Sequence, residues 1–374
     1  MLVGVLAFIA FGVAVAWAVA VLFLKGEDLS AFDRPTGERF STGPEPSAEL
    51  KAVVAALSGM SDALRRVPLR GRIAALRRLI DEVFAGRTLD ATFTPVDCAG
   101  VPGEWVRAAG ADGARRTLYI HGGGFVIGSP RSHRTLTSRF AAMTGGVVLV
   151  VDYRLMPEHR RLAGIEDCRS AYRWMLEHGP DGAEPAQAVF VAGESAGGNL
   201  TLALIAWLRD QGLRLPDAAV ALSPSTDSTL ASPSLRANRR SDAMLGPLLG
   251  PLAKLPRWML LWLGWVLNRI NPRSPSISPV YGDLSNLPPV LVQASEAEML
   301  LDDCRRYVNR AQAAGSPVRL QTWSHVVHAW QIFNPELPEA CDALAEIGKF
   351  LAAASPPPAA ASADGRRDSF SGET

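Results

Sequence analysis

The sequence predicts an α/β fold with a mostly parallel central sheet and helices on both faces. From Leu89 onward, short apolar runs alternate with helix-like stretches. One of these runs, Val147 to Val151, is almost wholly β-branched, which suits a strand buried on both faces. The composition agrees: 374 residues at 48% hydrophobic and 20% charged can bury a large core, which excludes a mostly disordered chain. Lysine plus arginine (38) balances aspartate plus glutamate (37), a net +1 that argues against a nucleic-acid partner. The four cysteines, Cys98, Cys168, Cys304 and Cys341, form no C-x-x-C pair, so free thiols are expected rather than a zinc cluster or disulfide scaffold.

In chain order, Met1 to Leu24 carries no charged side chain. As a helix it would be about 35 Å long, enough to cross the ~30 Å hydrocarbon layer. It lacks the basic start and small-residue cleavage site of a signal peptide, so residues 1–24 are expected to be a single-pass transmembrane anchor. Lys25, Arg34 and Arg39 all follow the span, and the positive-inside rule then leans toward a cytoplasmic body. Residues 25–44 read as a linker. Residues 45–88 read as helical, with Leu57, Leu64, Leu69, Ile73, Leu76, Leu79 and Ile80 on apolar faces.

Strands are expected at 117–120, 147–151, 188–192, 218–222, 290–292 and 318–323. Helices are expected at 165–176, 196–209 and 300–314. Residues 225–288 interrupt the alternation. Their centre, Trp258 to Leu267, is too short to span a bilayer; it reads as a packing helix, or as a cap helix that lines an acyl pocket or touches a membrane interface. From Ser355 onward, three prolines followed by small and polar residues read as a disordered tail.

Ligands of such sheets bind beyond the carboxyl ends of the strands. Gly193-Glu194-Ser195-Ala196-Gly197 lies between a strand and a helix, the setting in which G-x-S-x-G projects a nucleophilic hydroxyl. The free N–H groups of the following helix favour a developing oxyanion. His121-Gly122-Gly123-Gly124-Phe125 follows another strand, and its glycines let backbone N–H groups face a reacting carbonyl. Gly122, Gly123, Gly124 and Ala196 are therefore the expected oxyanion donors. His121 reads as structural rather than as a base. Phe125, Trp258 and Trp262 are the expected substrate contacts.

These motifs, with Asp152-Tyr153-Arg154-Leu155-Met156-Pro157-Glu158 and Ser223-Pro224, resemble the hormone-sensitive lipase family of α/β-hydrolases, in its bacterial carboxylesterase branch. The resemblance runs from about Leu89 to Phe350. It departs after Glu158, where Arg160-Arg161-Leu162 replaces the family's Pro-Phe-Pro. The resemblance implies an α/β-hydrolase fold with a helical cap, built here from about 45–88 and 225–288 within a domain of 45–354. It also implies the chain order serine, acid, histidine. Trp323, Trp330 and Phe333 set a register that selects His328 as the base, with His325 the competitor. The segment after the Val290 strand selects Glu298 as the acid, with Glu296 and Asp302 competing.

The expected activity is hydrolysis of small or lipid-like carboxylic esters through an acyl-serine, requiring no metal or organic cofactor. The alternatives are a non-catalytic receptor, as among the plant gibberellin receptors that resemble this family, and an amidase or peptidase.

Overall fold

A computed structural model describes residues 1–41, 43–83 and 86–355. All of the expected tail beyond Ser355 lies outside the described residues. The chain opens with α1 (Leu2–Val19), extended by a wider helical turn over Ala20–Leu24. This helix is long and apolar enough to cross a membrane, and most of its large side chains are exposed.

The short strand β1 (Glu38–Phe40) follows, then helices α2 (Ala48–Arg65) and α3 (Arg72–Val83). Next come β2 (Ala91–Asp97), β3 (Pro102–Ala108) and β4 (Asp112–Ile120), then α4 (Arg134–Thr144), β5 (Gly146–Val151) and α5 (Arg161–Glu177). After a small hairpin of β6 (His178–Gly179) and β7 (Gly182–Ala183) come β8 (Ala188–Glu194), α6 (Ala196–Asp210) and β9 (Ala218–Leu222). Residues between β9 and the next strand hold two single turns, α7 (Ser234–Ala237) and α8 (Gly246–Leu249), and one longer helix, α9 (Arg257–Asn268). The chain closes with β10 (Val290–Ser295), α10 (Leu301–Ala313), β11 (Val318–Trp323) and α11 (Pro338–Ala354).

One nine-stranded sheet runs β1-β11-β10-β9-β8-β4-β5-β3-β2. All pairings are parallel except β2 with β3 and β3 with β5. The central strands β5, β8, β9 and β10 are buried along their whole length, as their mostly apolar runs require. One cluster, with Leu118, Leu149, Val191, Leu204 and Tyr172, packs α5 and α6 on one part of the sheet. Another, with Tyr119, Phe140, Val220, Leu344 and Ile347, packs α4 and α11 against it. The four cysteines are unpaired, and three of them are buried.

The segment 25–44 is expected as a linker, but its residues 27–40 are docked on the body. Leu29 is buried against α10 and β10 side chains, Asp33 pairs with Arg306, Glu27 pairs with Arg310, and β1 adds a parallel edge strand to β11. Arg306 is itself buried, so it needs the carboxylate partner. Helix α2 packs Leu50 and Leu57 against Trp323, Val326, Val327 and Trp330. From α3, Arg77 bonds the Val126 carbonyl at 2.7 Å and forks onto Glu158. Both helices therefore brace loops at the carboxyl edge of the sheet.

Candidate active site

Strand β8 delivers its chain into a tight turn at Ser195, which holds φ 55° and ψ −114°. A non-glycine residue in that region is strained, and the surroundings must hold it. Here the Ser195 N–H donates to the Leu222 carbonyl at 2.7 Å, tying the turn to β9. At Gly197 a side chain would collide with the Ile120 carbonyl, so only glycine lets α6 start this close to β4. The hydroxyl is left partly exposed at the mouth of the fold.

Ser195 Oγ lies 2.8 Å from His328 Nε2, and His328 Nδ1 lies 2.6 Å from Glu298 Oε2. His328 sits in the loop after β11 and Glu298 in the turn after β10, as the chain order predicts. The histidine loop is held by Ser223 Oγ, which accepts from the Ala329 N–H at 3.1 Å, and by Ser295, which donates to the Val326 carbonyl. Glu298 is fully buried and accepts a second bond from the Ser295 N–H at 3.0 Å. Burial works against a charged His328, but Glu298 outweighs it and holds the imidazole above its ordinary value. The competing residues lie elsewhere. His325 is exposed, Glu296 pairs with Arg305, and Asp302 bonds Arg305 and the Ser234 N–H.

The glycine loop is fixed from beneath. Tyr119 donates to Glu194 Oε2 at 2.6 Å, His133 Nε2 lies 2.8 Å from Oε1, and the Gly122 N–H also donates to Oε1. Gly122, expected as an oxyanion donor, instead commits its N–H to the Glu194 carboxylate. Gly123 takes φ 104°, and a side chain there would meet the Ile127 carbonyl. Ala196 opens α6, so its N–H has no intrahelical acceptor.

Burial opposes the charges of Glu194 and His133, yet each outweighs it for the other: Glu194 is held below its ordinary value and His133 above. His121, stacked on Tyr153 at 4.4 Å, is pushed down to about 4, first by burial and then by His133, so it is neutral. The His133 contact carries no sequence signal. It joins residues far apart in the chain, and only the position of Glu194 beside Ser195 hinted at the network.

The substitution at Arg160-Arg161-Leu162 has a structural counterpart. Arg161 opens α5 and is buried, with its guanidinium 3.6 Å from the Phe125 ring centre. It donates to Asn199 Oδ1 at 2.8 Å and to Asn268 Oδ1 at 3.1 Å. Burial pulls it down to about 9. Phe125, expected as a substrate contact, thus lies beside the glycine loop with the Arg161 guanidinium over its ring. Trp258 and Trp262, expected as substrate contacts, are engaged elsewhere. They pack with Ala20, Leu24 and Leu261, and Trp262 Nε1 donates to the Ala16 carbonyl of α1 at 2.8 Å. The N-terminal helix, rather than an acyl pocket, takes the side of α9 that carries Trp258, Leu261 and Trp262.

Residues 117–332 match the model of a family described by its alpha/beta hydrolase fold. The chain is 40% identical over 248 residues to an acetyl-hydrolase of Streptomyces hygroscopicus, an alignment covering 66% of this chain and 78% of that protein. It is 35% identical over 278 residues to an esterase of Acinetobacter venetianus, covering 74% and 88%. Among solved structures, an esterase from the bacterial hormone-sensitive lipase family superposes with a TM-score of 0.70 at 37% identity, covering 82% of this chain and 98% of that one. With the strand order and the Gly-x-Ser-x-Gly turn, these similarities establish that the chain belongs to the hormone-sensitive lipase family of α/β-hydrolases.

Proposed function

We propose that the protein is a serine carboxylesterase or lipase acting on small or lipid-like apolar esters. The observation that carries this reading is the continuous chain from Ser195 Oγ through His328 to Glu298, at 2.8 and 2.6 Å. His328 takes the Ser195 proton as the hydroxyl attacks an ester carbonyl. The carbonyl oxygen becomes negative facing the N–H groups of Gly123, Gly124 and Ala196. Glu298 fixes the imidazole tautomer and steadies its positive charge. His328 then protonates the departing alcohol, and water, activated by the same ring, releases the acid from Ser195. The relatives named esterase and acetyl-hydrolase support ester rather than amide substrates.

The test is Ser195→Ala against p-nitrophenyl acetate and butyrate. Turnover should fall by on the order of 10⁴–10⁶. Undiminished hydrolysis would refute the assignment.

Residues 1–24 act in this reading as a retained single-pass anchor. The helix end is bonded to the body through Trp262 to Ala16 and Asn271 to Phe23, which a discarded leader would not need. Lys25, Arg34 and Arg39 all follow the span, which by the positive-inside rule supports a body on the cytoplasmic side. Protease protection of the body in sealed vesicles checks the orientation.

A further inference from the structure

Helix α9 is tied to α1 at a depth that bears on where the body sits. Trp262 donates to the carbonyl of Ala16, eight residues before Leu24, the last residue of the apolar helix. At roughly the α-helical rise that is about 12 Å along the helix axis, so with residues 2–24 spanning a ~30 Å layer the contact lies about 10 Å inside the hydrocarbon edge. Asn271, just past α9, bonds the Phe23 carbonyl at 2.9 Å, level with that edge.

The side chains of α9 fit this gradation. Met259, Trp265, Val266 and Leu267 are exposed, and Leu267 keeps 60% of its surface open. Leu248 and Leu252 extend the apolar surface toward α8. Between Asp242 and Asp283 the chain has no acidic residue, but it carries Lys254, Arg257, Arg269 and Arg273. Lys254, Arg269 and Arg273 are exposed. An apolar helix face, indole rings and a rim of one charge sign are what an anionic bilayer surface binds.

From this we infer that α9 is a second membrane element. It lies in the bilayer interface beside α1, seats the body on the lipid, and admits esters from the lipid phase. The inserted helix is also joined to the site. Asn268, its last residue, accepts from Arg161, whose guanidinium covers Phe125 beside the glycine loop and bonds Asn199, one turn beyond Ser195. The inference rests on the anchor and esterase readings, and its test separates the three.

The full chain, in a Cys341→Ser background, is labelled with an environment-sensitive fluorophore at Leu267→Cys. It is then reconstituted in phosphatidylcholine–phosphatidylglycerol vesicles. The control label is at Leu213→Cys, next to Arg214, which bonds the chain at the start of β8, the opposite edge of the sheet from Ser195. Nitroxide on the lipid acyl chains should quench the label at 267 several-fold more than the label at 213. If both labels are equally open to aqueous iodide while the chain resists carbonate extraction, α9 is not inserted and only the anchor stands. If carbonate strips the chain, both the anchor and the inference fail.

A second variant, Leu267→Glu in the full chain, should lose about tenfold in hydrolysis of a vesicle-embedded long-chain p-nitrophenyl ester. It should keep p-nitrophenyl acetate turnover within about twofold. Equal loss on both substrates, or loss on neither, overturns the lipid route. If the parent chain turns over neither ester, it is the esterase reading that fails, and quenching still decides the surface.

Discussion

Two carboxylates one residue from, or bonded to, the central machinery do different work. Glu298 faces His328 and raises its affinity for a proton. Only the neutral ring can accept the Ser195 proton, so kcat/KM should fall as pH drops through an apparent value above the ordinary 6.5 of histidine. Glu298→Gln should move that acid limb to lower pH and reduce kcat by on the order of 10²–10⁴, read from a pH–rate profile. Glu194 instead holds His133 and the Gly122 N–H. Its depressed value stabilises the fold above pH 4.5 and is lost as pH falls. The raised value of His133 contributes fully below 6.5 and is lost as pH rises through its folded value. Glu194→Gln should therefore cost about 3–5 kcal/mol between those limits and less at alkaline pH, as urea melts across pH would show. Glu298 was legible in the sequence because it follows a strand in a recognisable register. The second role of Glu194 was not: its partners come from β4, the glycine loop and the turn before α4, contacts across some sixty to seventy-five residues that no local pattern encodes.

At the scale of elements, the sequence marks what is buried on both faces. The expected strand at 218–222 coincides with β9, a fully buried and continuous apolar run. The one at 318–323 coincides with β11, where Arg319 is exposed between buried neighbours. The polar edges are silent. β1 is Glu-Arg-Phe, and β2 alternates exposed with half-buried residues, so neither looks different from loop. The antiparallel β2–β3 ribbon is missed for that reason, and the docked segment 27–40 passes for a linker. That segment is held by a few strong contacts, among them Arg306 on Asp33. Asp33→Ala leaves the buried guanidinium short of its partner and should lower stability by about 1.5–3 kcal/mol in urea melts. In the glycine loop, Gly123→Ala meets both a positive φ and the Ile127 carbonyl. Displacing that N–H should cut kcat on the order of 10²–10³ with little change in KM, measured on p-nitrophenyl butyrate.

The whole molecule is a hydrolase body locked to an apolar helix. Its parts were legible as separate segments, but their attachment was not, since a tryptophan indole finding a helix carbonyl 246 residues away leaves no trace in composition. Removing residues 1–24 uncovers Leu261 and Trp262 but leaves Ser195, His328 and Glu298 in place. The shortened chain should hydrolyse p-nitrophenyl acetate within a few-fold of the full chain while losing the vesicle-embedded ester, assayed side by side. The docking of residues 27–40 has a further consequence. With residues 1–24 anchored as proposed, a slack tether would let the body sample the solution within its reach, whereas a docked one would allow little more than lateral drift. Encounters then become a two-dimensional search, and velocity should follow the mole fraction of ester in the surface rather than its bulk molarity. Diluting that surface with inert lipid at constant total ester would slow the enzyme even though nothing in the water had changed.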